Sequence, residues 1–153
     1  MRLAAERGLE DRVRFMGHRE DVRQLLPGLD LYVNTSSFEG ISLTILEAMA
    51  AEVAVIATAV GGTPEVVVNR TTGLLVPPRD SDALAAAIEE LVASAAQRNE
   101  FGAAGRRRVE EFFTISRMVD EYAAVYENLG AAVTETGPRS AFASVTPQDS
   151  YRA

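Results

Sequence analysis

The chain has 153 residues, of which 47% are hydrophobic, enough for one buried core and too few for two full domains. Its 22 Asp and Glu against 15 basic residues leave a net charge of -7, a field that repels nucleic acid and anionic membrane and argues against a general polyanion binder. Cys is absent and His occurs once, so a disulfide framework, a thiolate zinc site, a cysteine nucleophile and a His-rich metal cluster are ruled out.

All 15 basic residues are Arg, so no ammonium group except the amino terminus is available for chemistry. The chain opens on Leu3, Ala4 and the turn signal Gly8, which read as the last turns of a helix. That beginning predicts a chain truncated at its N-terminal side. No run approaches the ~18 consecutive apolar residues of a membrane span, and the charged start lacks the apolar segment of a signal peptide.

Residues 13–16 form a short apolar-rich run closed by Gly17, which predicts a strand. Residues 20–26 carry Val22, Leu25 and Leu26 at helical spacing before Pro27 and Gly28, a short helix with its stop. Residues 29–34 read as the next strand, 35–40 as a polar loop and 43–51 as a helix. Residues 53–58 are almost wholly apolar, as a strand covered on both faces should be. Gly61 and Gly62 break that run before a short segment at 64–68, and 74–76 make a last strand ended by Pro77 and Pro78.

From there the period is helical, over 82–95, 99–112 and 116–129, with Leu84, Ile88 and Leu91 or Met118, Tyr122 and Val125 as buried stripes. Residues 130–153 lack sustained periodicity, so a domain over 1–130 and a mobile tail over 131–153 are expected. Alternating strands and helices predict an α/β fold: a Rossmann-like doubly wound parallel sheet with a helical C-terminal end. Ligands of such sheets bind outside the carboxyl ends of the strands.

At one such end, Glu39 lies in the loop and Glu47 stands about one turn inside the following helix. Both can flank the helix N-terminus, whose unpaired N–H groups and positive dipole end form a site for phosphate. Carboxylates accept hydrogen bonds from sugar and ribose hydroxyls, so a diphosphate on the amides between two such acids describes a nucleotide-sugar site. The spacing leaves a second reading open. Thr44-x-x-Glu47 is also a capping-box pattern, in which Glu47 satisfies a backbone N–H and Glu39 is a solvated loop acid.

Five stretches carry a wider resemblance: V-R-F-M-G, D-L-Y-V-N-T-S, S-x-x-E-G-I-S-L-T-I-L-E-A-M-A, V-I-A-T-A-V-G-G-T-P-E-V-V and T-G-L-L-V-P-P-R-D. With these, residues 13–91 resemble the C-terminal nucleotide-binding domain of GT-B glycosyltransferases of group 1, also called GT4. The resemblance implies a retaining, generally metal-independent transfer from a nucleotide-sugar donor to an acceptor it does not define. Within it Glu39 is the catalytic candidate, contacting the transferring sugar as a positioning and charge-stabilising acid. Gly40, Ile41, Ser42 and Leu43 would offer amides to sugar and phosphate, Glu47 would bind the ribose hydroxyls, and Gly17, His18 and Arg19 would lie beside the base. Gly61 and Gly62 would line the cleft, although a backbone requirement alone also accounts for them.

No cofactor is implied, the nucleoside diphosphate sugar being a substrate. The implied partners are that donor, an unknown acceptor and a missing N-terminal domain of the same enzyme, with neither nucleic acid nor a membrane span. The expected location is cytoplasmic, with peripheral membrane attachment of the full-length enzyme left open. Where the family usually has Gly and then Pro in A-x-G-x-P-V-I, this chain has Glu52 and Ala54. A left-handed Glu52 carries a strain of roughly 1 kcal/mol.

The family's phosphate-gripping Arg and Lys lie upstream of the matched residues. A sheet ordered 3-2-1-4-5-6 places two absent strands between 13–16 and 29–34, so the isolated chain is expected to show exposed sheet edges, marginal stability and no turnover. The alternative from another class is a non-catalytic nucleotide-binding or structural remnant. Three weaker features have structural readings: Asp80-Ser81-Asp82 as a helix cap, Arg106 to Arg108 as a solvated mixed-charge surface, and Glu65 as a dipole-compatible acid.

Overall fold

The computed structural model of the protein describes residues 2–136. The first unit, Met1–Glu111, is built on a three-stranded parallel sheet in which β1 (Tyr32–Asn34), β2 (Val55–Thr58) and β3 (Gly73–Val76) lie in that order. Tyr32 stands beside Val55, and Val55 beside Gly73. All four residues of β2 are buried, as a central parallel strand covered on both faces requires.

On one face, Ile56, Leu74 and Val76 pack with Ala87 and Leu91 of α5 (Ser81–Ala93) and with Phe101 of α6 (Ala95–Phe112). Strand pleating turns Val55 and Ala57 to the opposite face. The helix α3 (Leu43–Ala50) contacts both β1 and β2, and its Ile45, Ala48 and Met49 are fully buried. The expected parallel α/β architecture is therefore present, and β1 to β3 fit the second half of the doubly wound order.

Most predicted elements appear with shifted ends. The predicted helix at 20–26 becomes a one-turn α2 (Val22–Leu25) followed by a 3-10 turn at Leu26–Gly28. The segment after Gly61 and Gly62 is α4 (Thr63–Val66), and α1 (Arg2–Glu6) is the short N-terminal helix.

Residues 13–16 are a correction. They form no strand, and Val13, Phe15 and Met16 are 41%, 53% and 46% exposed. A parallel strand has no hydrogen bonds of its own, so an apolar run without a neighbouring strand forms no ladder.

The end of α3 has the left-handed conformation that the Glu52 substitution makes costly. Glu52 has φ 59, its N–H bonds Met49 O at 3.0 Å, and Val53 N–H bonds Ala48 O at 3.0 Å. This is the paired closure of a Schellman motif. Gly102 of α6 passes directly against it: a Cβ there would stand 2.0 Å from Glu52 O.

Two of the weaker features are structural. Asp80 Oδ1 accepts the Ala83 N–H at 2.9 Å and caps α5. Within Arg106 to Arg108 the expected solvated surface holds only in part. Arg106 pairs with Glu110 and Glu52, whereas Arg108 donates to Val66 O and Glu65 O at 2.8 Å and closes the end of α4.

The second unit, Phe112–Ala153, is described through α7 (Ile115–Thr136). This helix runs past Gly130, where loss of periodicity was expected to begin the tail; the remainder of the expected tail, 137–153, lies outside the described residues. Ile115, Met118, Tyr122, Val125 and Leu129 recur at three- and four-residue intervals and are exposed. The stripe expected from Met118, Tyr122 and Val125 is therefore present as a pattern and is not buried.

Candidate functional site

The carboxyl ends of β1 and β2 are stitched together by short polar side chains. Asn34 is the last residue of β1 and pairs in register with Ala57, one residue before Thr58. Thr58 Oγ1 donates to Ser36 O at 2.6 Å, and Asn34 Oδ1 accepts the Ser36 N–H at 3.1 Å. Ser36 Oγ then donates to Glu39 Oε1 at 2.7 Å, with Asn34 Nδ2 at 3.5 Å from the same oxygen. Glu39 is thus a half-buried acid held by neighbours, not the freely solvated one of the competing reading.

The Gly61 and Gly62 loop closes beneath it. Gly62 N–H bonds Gly40 O at 3.0 Å and Glu39 O at 3.4 Å. Gly61 has φ 50, and a Cβ on it would stand 1.7 Å from Glu39 O. The backbone requirement expected of this pair is therefore met by the backbone of the Glu39 loop itself. Gly40 differs, since nothing lies within 4 Å of where its Cβ would be; its missing side chain keeps space open above the loop.

Ser42 is the N-cap of α3, but its side chain makes no capping hydrogen bond. Its hydroxyl lies 3.5 Å from Asn34 Nδ2 and 3.1 Å from Thr44 Oγ1, and Tyr32 Oη donates to Thr44 Oγ1 at 2.8 Å. The first-turn amides of α3 therefore lack a side-chain cap, and they carry the positive end of the helix dipole. Beside them Ile41 and Leu43 are exposed and Ser42 is buried.

With Ser42 as N-cap, Glu47 occupies the fifth helical position, two places beyond the one a capping box uses. Its carboxylate instead accepts from Arg23 Nε at 3.0 Å, across α2 and α3. Spacing alone had allowed either role, and the helix start decides against capping.

The third group stays local. Gly17 has φ 66, His18 is exposed, and the Arg19 guanidinium grips the Asp21 carboxylate through both its Nε, at 2.7 Å, and Nη2. That hydrogen bond, with the charge attraction, raises the Arg19 pKa and lowers that of Asp21.

The structure thus joins Glu39, Gly40, Ser42 and Gly62 through hydrogen bonds, with Gly61 packed against the Glu39 carbonyl and Glu47 on the same helix that Ser42 begins. Gly17, His18 and Arg19 share no hydrogen bond with that group. A cavity of about 430 Å³ elsewhere is lined by Arg2, Ala4, Ala5, Glu10, Val13 and Phe15, none of them a candidate residue.

Sequence reasoning missed Asn34, Ser36 and Thr58 as the frame of Glu39, and Arg23 as the partner of Glu47. The first three carried a signal, being polar residues at the carboxyl ends of two predicted strands. Arg23 carried none, standing 24 residues from Glu47. Chemically, the arrangement offers uncapped amides and a dipole to an anion, with one fixed carboxylate before the helix and a second one turn inside it.

Residues 1–94 match the family described as glycosyl transferases, group 1. A lipopolysaccharide core biosynthesis mannosyltransferase, LpcC, of Rhizobium leguminosarum bv. viciae is 38% identical over 122 residues, 80% of this chain and 35% of the relative. Among solved structures, sucrose-phosphate synthase from Thermosynechococcus elongatus aligns with a TM-score of 0.78 at 38% identity, over 86% of this chain and 33% of that one. Anabaena HepE in complex with UDP-glucose aligns with a TM-score of 0.73 at 28% identity, over 85% of this chain and 35% of that one.

The chain spans about a third of the length of the curated relatives it matches. No helix among the described residues is long and apolar enough to cross a membrane. The expected fold and family are therefore correct: the chain belongs to the group 1 glycosyltransferases and has the α/β fold of their GT-B structures.

Proposed function

We propose that this chain is the donor-binding part of a retaining, GT4-type glycosyltransferase, which moves a sugar from a nucleoside diphosphate sugar to an acceptor. The observation that carries the reading is the placement of the Glu39 carboxylate, fixed by Ser36 and Asn34, directly before the uncapped N-terminus of α3. The diphosphate takes the amides of Gly40, Ile41, Ser42 and Leu43, where the helix dipole offsets its charge. Glu39 accepts hydrogen bonds from the sugar and stabilises positive charge developing at the anomeric carbon as the diphosphate departs.

Glu47, one turn along, accepts from the ribose hydroxyls in place of Arg23. The Gly17, His18 and Arg19 turn borders the base. Gly61 and Gly62 line the cleft by supporting the Glu39 loop from below. HepE, bound to UDP-glucose in its crystal, supports a donor of this class. The reading requires an acceptor and an N-terminal domain as partners, and assigns no metal or other cofactor to the step.

Calorimetric titration with UDP, GDP and ADP, and with a sugar derivative of each, tests the reading. It expects one nucleotide to bind in preference and its sugar derivative to bind more tightly, with the gain lost in Glu39→Gln. Equal, non-saturating responses to every nucleotide count against it. They would favour the non-catalytic remnant, a reading to which the strained Glu52 at φ 59 also lends support.

A further inference from the structure

We infer that Ser36, itself held by Thr58, is a positioning residue that sets the rotation of the Glu39 carboxylate and so turns its unbonded oxygen toward the donor sugar; this rests on the donor-binding reading above. The side-chain donors that reach Glu39, Ser36 Oγ and Asn34 Nδ2, both approach Oε1. Among the described residues no hydrogen bond reaches Oε2. The carboxylate is therefore oriented, with Oε1 committed to the protein and Oε2 left for a ligand hydroxyl.

The orientation comes from the sheet. Thr58 is 5% exposed at the end of the central strand, and its hydroxyl fixes the Ser36 carbonyl at 2.6 Å. The Ser36 N–H is fixed in turn by Asn34 Oδ1 at the end of the neighbouring strand. Ser36 is thus tied to β1 and β2 through its backbone, and only its hydroxyl is turned toward Glu39.

From the other side, Gly62 N–H reaches Glu39 O, so the acid is fixed through its backbone and through one carboxylate oxygen. Without the Ser36 hydroxyl the backbone ties remain, the carboxylate keeps only the longer 3.5 Å contact from Asn34 Nδ2, and its rotation is loosened. A ligand hydroxyl then has to order the acid as it binds, which costs affinity.

The test is calorimetry on the 153-residue chain, with UDP, GDP, ADP and a sugar derivative of each as probes. The quantity read is the ratio of Kd for the preferred nucleoside diphosphate to Kd for its sugar derivative. Ser36→Ala is expected to lower that ratio about fivefold, the effect of one hydrogen bond, while the nucleoside diphosphate Kd moves less than about twofold. Ser36→Thr, which keeps the hydroxyl, restores the ratio. If Ser36→Ala does not fold, Thr58→Val gives the same selective fall, smaller in size.

An unchanged ratio in Ser36→Ala, or a nucleoside diphosphate Kd that weakens in step with that of the sugar derivative, overturns the inference. Glu39→Gln separates the two levels. If it abolishes the ratio while Ser36→Ala leaves it intact, the positioning role fails and donor binding stands. If wild type shows no ratio above one, both fail.

Discussion

Gly61 and Glu39 are in such close contact that one added methyl group on Gly61 would stand 1.7 Å from the Glu39 carbonyl oxygen. Two constraints meet at this glycine, because its φ of 50 also lies in the left-handed region. Gly61→Ala can be accommodated only by moving the Glu39 loop. The substitution is expected to cost about 2 to 3 kcal/mol in denaturant unfolding, and to abolish the extra affinity for a nucleotide sugar. A variant that unfolds at the wild-type midpoint would show that the loops are not coupled.

Glu52 offers the opposite experiment. Its φ of 59 closes the Schellman motif after α3, and its side chain pairs at 3.1 Å with Arg106, itself half exposed. An exposed pair of this kind contributes little, whereas strain at a left-handed non-glycine residue costs about 1 kcal/mol. Because Arg106 keeps Glu110 as a second partner, Glu52→Gly is expected to stabilise the chain by about 0.5 kcal/mol. Chemical denaturation measures this directly; a loss above about 1 kcal/mol would mean that the ion pair outweighs the strain.

Glu47 separates a ligand role from a structural one. Its partner Arg23 is 85% exposed while Glu47 is 29% exposed, so the pair adds little to stability. Glu47→Ala is expected to weaken nucleotide binding by about 1 to 3 kcal/mol, with an unfolding free energy within about 0.5 kcal/mol of wild type. A lower melting point with unchanged affinity would restore the capping role that the helix start argues against.

Asp21 gives the acid-side dependence. The hydrogen bonds from Arg19 hold its carboxyl pKa below the ordinary value, against a smaller opposing effect of burial. A depressed folded-state pKa contributes stability that is complete above the unfolded value of about 3.9 and is lost as pH falls through the folded value. In urea unfolding from pH 7 to pH 2, Asp21→Asn is expected to be less stable than wild type at neutral pH. The difference should close below about pH 4; a constant difference would mean that the charged pair is not the cause.

What the sequence revealed depended on whether the physical cause was local. The helix at Leu43–Ala50 was legible because Ile45, Met49 and their neighbours repeat at helical spacing, and the Asp80 cap because capping acts over three residues. The strand expected at residues 13–16 does not form, since strand pairing belongs to the neighbour as much as to the segment. The Glu39 and Gly40 motif marked the right loop, whereas its frame of Asn34, Ser36 and Thr58 emerges only when two strands end side by side. Likewise Gly61 and Gly62 announced a backbone need, and the folded chain identifies the carbonyl groups that impose it.

The central claim is that the loop before α3 holds a diphosphate between two acids. Its most direct test is an amide-resolved NMR titration of the 153-residue chain with UDP, GDP and ADP. The account expects saturable shifts in the amides of Gly40, Ile41, Ser42 and Leu43 with one of the three, together with changes at Glu47. Titrations that leave those amides unmoved, or shift only the Arg106 to Arg108 surface, would contradict it.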